Sequence, residues 1–125
     1  MNVRLAYGRE GLDVEVPDDA VVLRSRQAPG LADEAAGVLG ALRDPIGCEP
    51  LARLVRPGAR VVVAHTDITR ATPNARILPV LLAELERAGI APNDITLLNA
   101  LGTHRPQTRA ELRAMLGPEV ADRYR

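Results

Sequence analysis

Two short polar stretches hold the residues best suited to chemistry. They are Asp67-Ile68-Thr69-Arg70-Ala71-Thr72-Pro73 and Gly102-Thr103-His104-Arg105-Pro106. Arg70 is the natural ligand for a carboxylate or phosphate, because its planar fork can bind two oxygens at once. Backbone N–H groups opening a helix after Pro73, from Asn74 onward, could add donors for an anion. Asp67 could hold the Arg70 guanidinium in one orientation, or fix the tautomer of a nearby imidazole. His104 is the better proton-exchanging candidate of the two histidines, in a Gly-led loop and of a type that titrates near neutral pH. The plainer alternative is that Asp67 and Thr69 cap the loop, Arg70 is a solvated charge, and His104 caps or packs.

Other residues read as structural. His65 lies inside an apolar run and is expected to pack against a covering helix. His65 and His104 are too far apart in the chain to form a metal-spacing motif. Cys48 beside Glu49-Pro50 reads as structural, and Arg53, Arg56 and Arg60 as a solvated face. Gly8 and Gly11 lack the strand–turn–helix setting of a dinucleotide fingerprint.

Each polar stretch follows a β-branched or apolar run, Val61-Val62-Val63-Ala64 and Ile95-Thr96-Leu97-Leu98, and precedes a helical pattern. Residues 59–65 read as a parallel strand covered on both faces. Thr72 is expected to cap the next helix, with Pro73 in its first position. Ile77, Leu78, Leu81, Leu82, Leu85 and Ala88 form its apolar stripe, and Gly89 stops it. Residues 95–100 are the next strand. Thr108-Arg109-Ala110-Glu111 is a capping box, opening a helix with Leu112, Met115 and Leu116 inside. Gly117-Pro118 ends that helix, and residues 119–125 could start another. Parallel strands joined by one helix bring their carboxyl ends to one rim of a sheet, where α/β proteins place their chemistry.

Upstream, residues 3–7 and 12–16 alternate apolar and polar around Gly8-Arg9-Glu10-Gly11 and predict a hairpin. Val21-Val22-Leu23 is expected to be a third short strand. Residues 31–43 have helical spacing, ended by Asp44-Pro45-Ile46-Gly47. Leu51, Leu54 and Val55 suggest a short helix closed by Arg56-Pro57-Gly58. The fold class is therefore α/β: a Rossmann-like parallel β-α-β-α unit preceded by an N-terminal β-hairpin.

Composition narrows the function. The 125 residues allow one domain at most. With no Phe, no Trp and only Tyr7 and Tyr124, there is no aromatic platform for base stacking. Sixteen basic residues balance sixteen acidic ones, which argues against nucleic-acid or membrane-surface partners. Every basic residue is Arg, so no Schiff base, lysine-anchored cofactor or P-loop lysine can come from this chain. Cys48 alone makes neither an internal disulfide nor a thiolate cluster. No segment reaches the roughly 18–20 apolar residues of a membrane span, and a soluble cytoplasmic protein is the expectation.

At Asp67-x-Thr69-Arg70-x-x-Pro73 and Gly102-x-His104-Arg105-Pro106, with Thr108 just after, the chain resembles the N-terminal domain of the nickel-pincer lactate racemases and related 2-hydroxyacid racemases and epimerases. The resemblance runs from the hairpin through Asp44-Pro45-Ile46-Gly47 to Tyr124. It implies that a substrate α-hydrogen leaves as a hydride to a nickel-bound pincer nucleotide and returns to either face of the keto intermediate. It implies that His104 exchanges the hydroxyl proton, that Arg70 binds the substrate carboxylate and that Asp67 supports them. Thr69 and Arg105 complete the expected substrate contacts. It also implies a second catalytic histidine, a cofactor-bonded lysine and a nickel-ligating histidine further downstream.

This chain has no Lys and no spare His, so no metal site is expected within it. The expectation is an incomplete N-terminal domain, inactive alone, whose partners are a small 2-hydroxyacid and the C-terminal part of the same protein. The alternative is a stand-alone Rossmann-like module that binds an anionic ligand or nucleotide without catalysis.

Overall fold

The computed structural model describes residues 1–124. The chain divides into two compact units, Met1–Gly30 and Leu31–Arg125.

The first unit is a hairpin of β1 (Asn2–Leu5) and β2 (Leu12–Glu15), antiparallel with Val3 opposite Val14. Its loop closes through a 2.9 Å bond from the Gly11 N–H to the Tyr7 carbonyl. Gly8 and Gly11 sit at φ +56° and +78°, a region that side chains with a Cβ disfavour. The third strand expected at Val21-Val22-Leu23 does not form. Val21 and Leu23 are 84% and 91% exposed and pair with no neighbouring strand. β propensity without a ladder partner does not make a strand.

The second unit carries α1 (Glu34–Arg43), α2 (Leu51–Leu54), β3 (Val61–Thr66), α3 (Asn74–Arg87), a 3₁₀ turn (Pro92–Asp94), β4 (Ile95–Ala100), α4 (Arg109–Leu116) and α5 (Pro118–Arg123). β3 and β4 are parallel neighbours, in register from Val61 opposite Ile95 to Thr66 opposite Ala100. The core is Leu78, Leu82 and Leu85 of α3, then Ile90, Ile95, Leu116 and Val120. Each fully buried Leu or Ile contributes about 1.5–3 kcal/mol relative to exposure.

Period-two alternation puts Val61, Val63, Ile95 and Leu97 against that core. The residues between them face outward, and Val62 and Leu98 are 62% and 53% exposed. The expectation of a strand covered on both faces is therefore corrected: among the described residues, helices cover one face only. A continuous apolar run cannot by itself distinguish one-sided from two-sided burial. Cys48, read as structural, is exposed.

α3 ends as expected. Gly89 (φ +90°) bonds to the Glu86 carbonyl at 3.0 Å, and Ile90 to the Leu85 carbonyl at 3.1 Å, the double closure of a Schellman motif. Its start differs from expectation. Thr72 does not cap; Pro73 is the N-cap and the helix begins at Asn74 with no side-chain cap. The Thr72 carbonyl instead accepts from the Asn74 N–H at 2.8 Å, tightening the entry turn. α1 is tied to α3 by buried Glu84, which accepts two bonds from Arg43 (2.9 and 3.1 Å) and one from Arg87 (3.1 Å). The Arg43 bonds are the largest cause holding the Glu84 carboxyl below its ordinary range.

Candidate active site

The parallel register ends β3 at Thr66 beside Ala100 of β4, so both polar loops leave the sheet at neighbouring positions. In the first loop the Arg70 N–H bonds to the Asp67 carbonyl at 3.2 Å. Asp67 is 2% exposed, an unusual position for a carboxylate unless it is paired. Its Oδ1 accepts the Thr69 hydroxyl at 2.7 Å and the Thr69 N–H at 3.3 Å. Buried Asn74 supports the turn from α3, its Nδ2 lying 3.4 Å from both the carbonyl and the hydroxyl of Thr66.

In the second loop, Gly102 at φ +59° and a 3.1 Å bond from the His104 N–H to the Leu101 carbonyl fold the chain back. This places the His104 Nδ1 against the Asp67 Oδ2. The Asp67 carboxyl is held below its ordinary range, first by the Thr69 hydroxyl bond and then by the His104 bond, with burial opposing both. The ionised carboxylate can only accept, so Nδ1 carries the proton and Nε2 is left as the free basic nitrogen. The His104 side chain is 45% exposed, which leaves Nε2 open to a proton donor.

The arginines differ. Arg70 is exposed and its guanidinium has no partner among the described residues. Arg105 forms a bidentate pair with Glu111 at 2.7 and 2.9 Å and also reaches the Pro106 carbonyl at 3.0 Å. Glu111 is the capping-box acid of α4 and accepts the Thr108 N–H at 2.8 Å. Arg105 first and Thr108 second pull its carboxyl down to about 2. Thus Asp67, Thr69 and His104 come together, Arg70 flanks them one turn along, and Arg105 is engaged elsewhere.

His65 is buried, with Nδ1 2.9 Å from the Thr66 carbonyl. Sequence reasoning offered the Asn74 N–H to an anion, but that group is bonded to the Thr72 carbonyl at 2.8 Å; it passed over the Asn74 side chain, Asn99 and Gln107. Asn99 donates through Nδ2 to the Gln107 Oε1, directly beneath the second loop. Its signal was a polar residue at a core-facing position of β4, two residues beyond Leu97.

A family model described as the lactate racemase N-terminal domain matches residues 7–125. The chain belongs to this family. It is 30% identical over 97% of its length to a lactate racemase of Thermoanaerobacterium thermosaccharolyticum. It is 29% identical over 96% of its length to a lactate racemase of Lactiplantibacillus plantarum. The structure of the lactate racemase apoprotein from T. thermosaccharolyticum superposes on all of this chain with a TM-score of 0.74 and 28% identity. The chain spans 29% of the length of these relatives. No helix among its described residues is long and apolar enough to cross a membrane.

Proposed function

We propose that residues 1–125 act as the N-terminal domain of a larger racemase-like protein and contribute its substrate-binding and proton-exchanging groups. The carrying observation is the buried Asp67 carboxylate on His104 Nδ1, in the same loop as Arg70, whose guanidinium has no partner among the described residues. The substrate class is a small 2-hydroxyacid. Arg70 binds its carboxylate through two parallel bonds. His104 Nε2 then accepts the proton of the substrate hydroxyl and returns it to the same oxygen. Asp67 holds the imidazole in the receptive tautomer and stabilises the imidazolium that results, as a buried carboxylate does for any histidine base. Thr69 keeps Asp67 in place. Arg105 reaches substrate only by releasing Glu111. The activity proposed for the larger protein is an isomerase reaction, racemisation or epimerisation.

The nickel-pincer nucleotide does not fit the side chains in hand. The chain has no lysine for covalent attachment, and its described residues hold no cluster of three His, Cys, Asp or Glu suited to a metal. We assign attachment and nickel ligation to the remainder of the larger protein.

The test is titration of the 125-residue chain with D- and L-lactate, followed by NMR. Shifts at Arg70 and His104 are expected; Arg70→Ala should abolish binding, and His104→Ala should leave it largely intact. The chain given cofactor should show no racemisation. Equal loss of binding in both variants would favour an anion-binding module without catalysis, and absence of any lactate response at Arg70 would overturn the reading.

A further inference from the structure

Asn99 is badly placed for stability. It lies on the core-facing side of β4 and lines a cavity of about 110 Å³ that is otherwise walled mainly by Leu97, Leu112, Leu116 and Ala121. Its Oδ1 is buried and has no hydrogen-bond partner. An orphaned buried acceptor is destabilising, and an aliphatic side chain would suit these walls better. A local rule broken in this way marks a residue kept for another purpose.

The orientation of that amide is dictated from the loop. The Arg105 carbonyl can only accept, so the Gln107 Nε2, 3.4 Å away, must face it. The Gln107 Oε1 therefore faces β4 and requires a donor, and Asn99 presents Nδ2 to it. That choice turns the Asn99 Oδ1 away, unpaired. His65, its register partner on β3, cannot relieve it. The His65 Nδ1 proton is committed to the Thr66 carbonyl, which leaves a neutral ring no second proton to donate.

We propose that Asn99 and Gln107 are positioning residues for the His104 loop. Their amide chain ties the rigid end of β4 to the backbone of Arg105, the residue that follows His104. It thereby sets how far the loop stands off the sheet, and so whether the His104 Nδ1 meets Asp67. The unpaired Oδ1 is the stability given up for this tether. The significance of the proposal rests on the proton-exchanging role of His104. Its test reads the imidazole rather than turnover, so the two can fail separately.

The experiment is imidazole ¹⁵N NMR and thermal melting on the full chain. In the parent protein His104 is expected as the Nδ1–H tautomer with a slowly exchanging proton. Asn99→Leu removes the tether and the orphan together. It should melt at or above the parental temperature, yet exchange the His104 Nδ1 proton at least about tenfold faster, because local opening governs exchange. Gln107→Glu keeps the shape but cannot donate to the Arg105 carbonyl, and should give the same loss of protection. If either variant retains the parental His104 spectrum, the tether is not what positions the loop. If Asn99→Leu unfolds the chain, Asn99 is a structural residue and the proposal is equally overturned.

Discussion

Asp67→Asn is the sharpest perturbation of the site, because it preserves shape and changes only which atoms can donate. The carboxylate accepts from the Thr69 hydroxyl, the Thr69 N–H and the His104 Nδ1. An asparagine offers one oxygen and one NH₂. If its oxygen stays on Thr69, both Thr69 bonds survive and the NH₂ faces His104. The imidazole must then present a bare Nδ1 and carry its proton on Nε2. If the amide flips, His104 keeps its tautomer, but the Thr69 N–H confronts an NH₂ and loses its acceptor. A stranded buried donor costs about 1–3 kcal/mol, whereas a neutral imidazole can exchange one tautomer for the other without stranding any group. The first arrangement therefore wins. Asp67→Asn is expected to fold normally and to move the His104 proton from Nδ1 to Nε2, visible in imidazole ¹⁵N shifts across a pH series. Nε2 can then no longer take a hydroxyl proton. In the larger racemase proposed above, this would remove the general-base contribution proposed for His104, typically about 10²–10⁴ in rate. Retention of the Nδ1–H tautomer with the Thr69 contacts intact would refute the assignment of Asp67 as tautomer-setter.

Gly89→Ala should destabilise the fold. The residue sits at φ +90°, and an added Cβ would lie 2.9 Å from the Pro57 Cβ. The backbone term alone is about 1–2 kcal/mol, or roughly 5–15 °C in melting temperature. Gly40→Ala is the opposite case: the position is helical and open, and substitution should stabilise by about 0.5–1 kcal/mol in the same melts. Acid should unfold the chain through carboxylates whose folded-state values are depressed. Asp67 and Glu84 lie below their ordinary 3.8 and 4.5, and Glu111 at about 2. Depressed values mean that the stabilisation is complete above about pH 5 and drains away as pH falls towards 2, which denaturant titrations at several pH values would trace. Glu111→Gln should flatten part of that acid limb; an unchanged limb would remove Glu111 from the account.

The elements whose signals are local were legible in the sequence. The Thr108–Glu111 capping box, the Gly89 stop and the β3–α3–β4 succession each depend on residues within a few positions of one another, and each occurs. What failed depended on partners distant in the chain. Val21-Val22-Leu23 had strand composition but no strand to pair with. The run in β3 announced burial without saying on how many faces. Thr72 had the right type for a cap, but Pro73 took the capping position and displaced it by a residue. At the site, Asp67 was an obvious acceptor with two eligible donors, a guanidinium and an imidazole. Spacing could not choose between them; the register of β3 on β4 does, by bringing His104 across. Asn99 escaped notice because its importance lies in what it reaches through Gln107.

Both loops offer an arginine, and the geometry separates them. Binding a carboxylate requires a guanidinium to give up whatever it already holds. Arg105 would surrender two bonds to Glu111, and Glu111 would be left facing an anion while still capping α4. The Arg70 guanidinium has no partner among the described residues to give up. It also stands one turn from a buried carboxylate, already satisfied by Thr69 and His104, that does not compete for it. A site that must hold an anion beside a neutral base needs its positive charge free and its negative charge spent. Pairing Asp67 with the imidazole rather than with Arg70 achieves both at once, which is why the Asp67–His104 contact is the strongest physical argument for a carboxylate-bearing substrate at this rim.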